Sequence, residues 1–324
     1  MKIKFAVIIV DYKSMSETCN YIKKFCAMVK DYKDVCFVII DNSNDVENYN
    51  VISKNFELVE NLNDFNTDYG KVLEAKSYTY LSCNIIALRG ASNAGYAIGN
   101  NLGVEYLRKV MKIEAKYILF SNNDIEFTNK ISIDELLKPF SINPKIAVVG
   151  PHIIEKSGIQ TSPRKKISIF KLLVLYNINL IFGNKLKSKV DDVEYRNNSG
   201  ETYWVMGCFF IVDREKFEKV GMFDNDTFLY SEEMILSEKL LKKGFLVYYY
   251  NDIEVFHNHG KTINKHVESN KNVECLYYSH KICCKKYRDA NIVELKIADI
   301  VFLLYKIQYK IKQKVKKLIN PNGN

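Results

Sequence analysis

Two carboxylates stand side by side at Glu232 and Glu233, directly after the loop Phe223-Asp224-Asn225-Asp226-Thr227-Phe228-Leu229-Tyr230. Such a pair can strip a proton from an attacking hydroxyl, or it can simply complement the dipole of a helix that starts there. Asp124 closes Asn122-Asn123-Asp124, after the apolar run Tyr117 to Phe120. One hard carboxylate with amide oxygens can hold Mg²⁺ or Mn²⁺ that keeps several waters, although a turn after a strand uses the same residue types. His257 and His259 lie far downstream, and a neutral imidazole is a natural companion to Asp124. Asp11 and Asp41 each end an apolar run, Phe5 to Val10 and Val35 to Ile40.

The elements that must position these groups follow from pattern. Phe5–Val10, Val35–Ile40, Asn84–Leu88 and Tyr117–Phe120 read as strands, and Glu17–Val29 and Asn93–Val110 as helices. Strands alternating with helices imply an α/β fold, a mainly parallel sheet covered on both faces. Ligands of such sheets sit beyond the C-terminal strand ends, where Asp11, Asp41 and Asp124 all fall. Residues 44–80 are weakly patterned, with a helix expected around Lys71 to Tyr80. Pro144 to Ile154, Met206 to Val212 and Phe245 to Tyr250 continue the strands. Asp213 is the expected N-cap of a short helix stopped by Gly221. Ser231 is the expected cap of a second helix with the stripe Ile235, Leu236, Leu240 and Leu241. The glycines at 95, 99 and 103 do not form G-x-G-x-x-G, and their spacing points to close helix packing at Gly99 and Gly103. Asn93 to Ala97 starts that helix, where free N–H groups can face an anion.

Taken in order, these parts resemble inverting glycosyltransferases of family 2, in the rhamnosyltransferase-like, capsular polysaccharide branch. The resemblance runs from residue 4 to 262. It rests on Asn93 to Asn101 and on Gly207, Arg214, Gly221, Phe223, Asp224, Phe228, Leu229, Tyr230, Glu232, Glu233 and His257. Glu233 departs from the pattern, standing where many members carry Asp, which changes the reach of the carboxylate. The resemblance implies a GT-A catalytic domain over 1–262, with a donor half near 1–150 and an acceptor half near 151–262. A helical basic extension follows at 263–324. The implied donor site comprises Val10, Asp11, Tyr12, Asp41, Asn93, Gly95, Tyr96, Asn100 and Asn123, with Asp41 reading a pyrimidine base. Asp124, with His257 or His259, is implied to hold a divalent metal (Mn or Mg). Glu233 takes the role of base and Glu232 that of orienting the acceptor or loop.

Composition bounds the partners. Eight cysteines without a Cys-x-x-Cys pair, and an N-terminal run too short for a secretion signal, point to a cytoplasmic chain with free thiols. No stretch approaches the roughly 20 apolar residues of a membrane span. The net charge is +9, and the whole excess lies in residues 261–324. Leu295 to Ile319 reads as an amphipathic helix. Its stripe Ile300, Leu304, Ile307, Ile311, Val315 and Leu318 is surrounded by Lys306, Lys310, Lys312, Lys314, Lys316 and Lys317. That shape suits an anionic membrane surface rather than nucleic acid; packing on the catalytic domain or on a partner chain is the other reading, and an oligomer stays open. Ile167 to Phe182 is equally readable as a buried helix or a surface helix touching membrane. Lys265 to Arg288 is a further helix, whose His and Cys spacings fit no common zinc site.

The expected activity is transfer of a sugar from a UDP- or dTDP-linked donor to a hydroxyl of a glycan or lipid-linked acceptor, at the inner membrane face. A nucleotidyltransferase would share the sheet but normally carries an N-terminal Gly-rich phosphate loop, which Val10-Asp11-Tyr12-Lys13-Ser14 is not. A non-catalytic sugar- or nucleotide-binding scaffold is the second alternative.

Overall fold

Apolar runs without polar alternation become strands buried on both faces, because helices cover each side of the sheet. The computed structural model describes residues 2–62, 65–155, 157–258 and 269–319. Its strands are β1 (Lys2–Asp11), β2 (Val35–Asp41), β3 (Glu57–Leu62), β4 (Phe65–Thr67), β5 (Gly70–Tyr80), β6 (Cys83–Gly90) and β7 (Glu114–Ser121). The second half adds β8 (Ile125–Phe127), β9 (Ile146–Glu155), β10 (Gln160–Ser162), β11 (Gly200–Thr202), β12 (Phe209–Asp213) and β13 (Leu246–His257). They join in the order β11-β13-β9-β12-β7-β1-β2-β6-β5-β3.

The centre, β7-β1-β2-β6, is parallel, and its register sets Asp11 opposite Asp41 and Asp41 opposite Arg89. Outside that centre the sheet is mixed. β12 runs antiparallel between β7 and β9, while β9 and β13 are parallel to each other. The residues from the two sequence halves therefore share one sheet.

Alternation along β1 and β2 divides the interior. Phe5, Val7, Ile9, Phe37 and Ile39 meet Cys19, Ile22 and Phe25 of α1 (Met15–Met28). Ala6, Ile8, Val38 and Ile40 meet Leu102, Tyr106 and Leu107 of α2 (Gly95–Lys109). Gly103 lets α2 lie close: a Cβ there would stand 2.8 Å from Ile40 Cδ1, and one at Gly99 would stand 3.0 Å from Val10 Cγ2. Packing is thus the reason for both glycines.

Two expectations are overturned. Lys71 to Tyr80 is a strand, not a helix. Its buried residues Val72, Ala75 and Tyr78 recur every third position, which imitates a helical stripe. A bulge between Val72 and Glu74 puts Val72 and Ala75 in the core on one face of the sheet, while Tyr78, three residues further along a regular ladder, is buried on the other face. Ser231 precedes α3 (Glu232–Lys242), but its hydroxyl makes no capping hydrogen bond. Asp213 does cap, accepting from Lys216 N at 3.1 Å.

The C-terminal helices α4 (Ser269–Tyr287) and α5 (Ile292–Ile319) build a third core. Tyr277, Cys283, Cys284, Ala298, Phe302 and Tyr305 close over Leu172, Leu173, Val174, Met234 and Ile235. Ile167 to Phe182 therefore buries its middle, as a π-turn at Lys171–Leu175 followed by a helix at Tyr176–Ile181. The face of α5 that packs is not the stripe read from its spacing; that stripe is exposed. All eight cysteines are free thiols, seven of them buried. Among the described residues no helix is long and apolar enough to cross a membrane.

Candidate functional site

Asp11 is an anchor. Its buried carboxylate accepts from Ser14 N (3.2 Å), Ser14 Oγ (2.8 Å), Thr18 Oγ1 (2.7 Å) and Asn48 Nδ2 (2.9 Å). Asn123 ties into the same knot, donating to Ser14 Oγ and Thr18 Oγ1 at 2.9 Å each. The turn carrying Asp124 is thereby fixed to the end of β1. Val10 and Tyr12 flank the knot, both partly exposed. Sequence reading missed Ser14, Thr18 and Asn48, since lone hydroxyls and amides carry no spacing signal.

Asp41 differs. It has no exposed surface, and Oδ1 accepts from Ser43 N at 2.9 Å and Ser43 Oγ at 2.5 Å. Oδ2 is buried without a hydrogen-bond partner. Burial raises the carboxyl above its ordinary range, only partly offset by Ser43. An unpaired buried acceptor at a strand end is an open demand for a donor.

Asn93 is exposed and accepts from Gly95 N at 3.1 Å. Gly95 has φ +83°, and a Cβ there would lie 2.1 Å from Phe228 O, so only glycine fits. Tyr96 N donates to the same carbonyl at 3.0 Å. Asn100 is buried and donates to Tyr96 O at 3.0 Å. Asn101 holds the acidic loop, donating to Phe223 O (3.1 Å) and accepting from Phe223 N (3.1 Å). The asparagine-glycine stretch thus serves largely to dock α2 on the loop that leads to the glutamates.

That loop ends in two consecutive left-handed residues, Tyr230 (φ 78°) and Ser231 (φ 67°). Each such residue costs on the order of 1–3 kcal/mol, retained where surrounding structure enforces it. The kink aims the two carboxylates apart, as the ~100° step along a helix also requires. Glu232 is 2% exposed, and its Oε1 lacks a hydrogen-bond partner. Burial first, then the nearby Glu233, raise it well above the ordinary carboxyl range. Glu233 stays partly accessible. Burial raises it to about 7, while backbone N–H groups, including that of Gly207, and Arg164 pull the other way. Its carboxylate occupies the space a side chain would take at Gly207: a Cβ there would stand 1.5 Å from Oε1. Tyr96 OH donates to Gly207 O at 2.7 Å and fastens this spot.

The turn before β12 links the glutamate to the other half of the site. Gly207 touches Glu233, while Cys208 O accepts from Asn122 N at 2.8 Å. His257 lies 3.2 Å (Nε2) from Asp124 Oδ1. The pair forms because β13 sets His257 opposite Ile125 of β8, the residue after Asp124. Burial disfavours the imidazolium, but Cys208 and Asp124 outweigh it and raise His257 to about 10. Asp124 Oδ1 is buried and faces His257. The Asp124 carboxylate suits a Mg²⁺ or Mn²⁺ ion whose other ligands are waters and phosphate oxygens, whereas His257, held as an imidazolium beside it, can ligate only after losing its proton. Among the described residues no cluster of three or more His, Cys, Asp or Glu is spaced to hold a metal. His259 lies outside the described residues.

Asp224, which sequence order placed in the motif only by resemblance, fastens the C-terminal region. It accepts from Lys286 Nζ at 2.9 Å and from Tyr287 OH. Ser279 Oγ donates to Leu229 O at 2.9 Å. Glu238, beneath the glutamate pair on α3, accepts from Tyr203 OH and pairs with Lys166 (2.6 Å) and Arg288 (3.3 Å).

With this geometry in view, the comparisons can be read. The crystal structure of GalNAc-T7 with UDP, GalNAc and Mn²⁺ superposes with a TM-score of 0.52 at 13% identity, covering 96% of this chain and 58% of that one. The fold is that of the GT-A glycosyltransferases. An N-acetylglucosaminyl-diphospho-decaprenol L-rhamnosyltransferase of Mycobacterium tuberculosis is 26% identical over 186 residues, 54% of this chain and 59% of that protein. The low-salt glycan biosynthesis hexosyltransferase Agl10 of Haloferax volcanii is 21% identical over 255 residues, 78% of this chain and 66% of that protein. The chain thus spans under two thirds of the length of these relatives. No family model matches the chain.

Proposed function

We propose that this protein is an inverting glycosyltransferase of the family 2 type, acting in surface polysaccharide synthesis. It moves a sugar from a UDP- or dTDP-linked donor to a hydroxyl of a glycan or lipid-linked acceptor. The observation that carries the reading is Glu233: a partly accessible carboxyl, held at Gly207, whose ionisation is raised to about 7. A base is most effective when its pKa lies near the working pH. Glu233 takes the acceptor hydroxyl's proton as the oxygen attacks the anomeric carbon. The bond from that carbon to the diphosphate oxygen breaks, and the configuration inverts. Glu232, sealed from solvent with its carboxyl pKa raised by burial, orients the acceptor or loop.

Once the residues covering it move aside, Asp41 Oδ2 would accept the N3–H of uracil or thymine, which cytosine lacks; this favours UDP or dTDP. Asn93, Gly95 and Tyr96 form the wall between donor and acceptor loops. Asp124 would hold a divalent ion, with His257 joining it only on loss of its proton; when bound, the ion offsets charge on the departing diphosphate. Mn²⁺ accompanies UDP in the GalNAc-T7 structure. The rhamnosyltransferase relative's name specifies a diphospho-decaprenol acceptor, which supports a lipid-linked one here and a place at the inner membrane face.

Incubation with a panel of nucleotide sugars and Mn²⁺, without acceptor, tests the reading. Slow release of a nucleoside diphosphate is expected. Pyrophosphate release from a nucleoside triphosphate supplied with a sugar 1-phosphate would make the protein a nucleotidyltransferase, and nucleotide-sugar binding without turnover would make it a scaffold.

A further inference from the structure

Helix α5 is apolar on two opposite faces. At about 100° per residue, Ala298, Phe302 and Tyr305 occupy one narrow sector, and all three are buried in the third core. Ile300, Ile307, Ile311 and Leu318 cluster about 180° away. There Ile300 is 59% exposed, Leu304 53%, Ile307 47%, Ile311 55% and Leu318 80%. The exposed row runs about 27 Å from Ile300 to Leu318 at 1.5 Å per residue. A neighbouring element widens it. Gln308 Nε2 donates to Ile181 O at 3.0 Å, and the next residue, Phe182, is itself exposed. A contiguous apolar face of this extent is a binding surface.

Charge selects the occupant. Lys296, Lys310 and Lys314 lie along one edge of the row, all exposed. The two acids of the helix are already engaged: Glu294 accepts from Asn291 N at 3.0 Å, and Asp299 from Tyr277 OH at 2.7 Å and Lys281 Nζ at 2.5 Å. A second copy laid in parallel along this row would bring lysine edges together without free carboxylates to pair them. An anionic lipid surface meets both the apolar row and its cationic margin.

We infer that the outward face of α5, with Phe182, is where this protein lies on an anionic lipid surface, while the inward face holds α5 on the body. The surface is also tied to the chemistry. α4, which precedes α5 and packs with it, grips the acceptor loop through Lys286–Asp224 and Ser279–Leu229. The lipid-bound face therefore sets the orientation of the loop that leads to Glu232 and Glu233.

The test is co-sedimentation of the full chain with phosphatidylglycerol–phosphatidylcholine vesicles and with phosphatidylcholine alone. Binding to the anionic vesicles only is expected, weakening as salt rises. The triple variant I300S/L304S/I307S changes only exposed side chains. It should keep the wild-type melting midpoint and lose at least about tenfold in vesicle partitioning. Equal binding to both vesicle types would overturn the anionic assignment. Undiminished binding by the triple variant would overturn the face. Absence of vesicle binding, with a concentration-dependent dimer that the same substitutions dissolve, would assign the face to a second copy instead.

Discussion

Glu233→Gln separates two consequences of one buried carboxyl. An unfolded glutamate ionises near 4.5, whereas Glu233 in the folded protein does so near 7. Between those values the folded chain holds a proton that the unfolded chain has released. Stability therefore falls as pH rises from 4.5 through about 7, and above that the full penalty remains. The gap corresponds to at most about 3 kcal/mol. Glutamine cannot ionise, so the variant escapes the penalty. Its melting midpoint should exceed that of wild type above pH 7 and match it below 4.5. The same change removes proton acceptance, so kcat should fall roughly 10²–10⁴-fold with donor affinity unchanged. Wild-type kcat should rise with pH through about 7, and the variant should lack that limb. Thermal melts across this range, paired with kcat–pH profiles, read both effects. A melting gain equal at both pH extremes would refute the burial argument. Full turnover in the variant would remove Glu233 as base.

Five other outcomes follow from particular contacts. Glu232→Gln should leave kcat within about tenfold, because this group is sealed from solvent and orients rather than accepts the proton; a loss as large as that of Glu233→Gln would exchange their roles. Gly207→Ala places a methyl where the Glu233 carboxylate sits, so the side chain must swing away; kcat should drop roughly 10²-fold with nucleotide Kd unchanged. Asp124→Ala should abolish Mn²⁺ binding measured by calorimetry, and Asp41→Ala should weaken UDP or dTDP binding about tenfold or more through loss of its unpaired acceptor. Deleting residues 295–324 strips Ala298, Phe302 and Tyr305 from the third core, each large truncation costing about 3–5 kcal/mol, so cooperative melting should be lost; an unchanged melt would mean α5 does not hold the body.

Local chemistry made much of the donor half readable. Unbroken apolar runs ending in Asp11 and Asp41 could only be central strands with their acids at the C-terminal rim, and the Asp11–Asp41 register agrees. The cap at Asp213 and the glycines at 99 and 103 were readable because they obey short-range rules. Short-range rules also misled. Val72, Ala75 and Tyr78 imitate a helix because a bulge re-phases the first two onto one face and the strand is buried on both, with Tyr78 on the other; neither has a single-residue signature.

The order and types of Asp41, Asp124, Glu232, Glu233 and His257 are properties of the sequence, and so is the excess of lysine in its last residues. Which of these groups meet is not. Antiparallel insertion of β12 between β7 and β9 carries Gly207 against Glu233, and the β8–β13 ladder brings His257 to Asp124 across the length of the chain. The difference between Glu232 and Glu233, one sealed and one accessible, likewise depends on which neighbours exclude water, a property of packing that adjacent identical residues cannot reveal. For α5 the periodicity predicted an apolar stripe, but only the tertiary structure decided that Phe302 and Tyr305 face inward and Ile300 and Ile307 face out. A helix apolar on opposite sides has no inside until something packs on it.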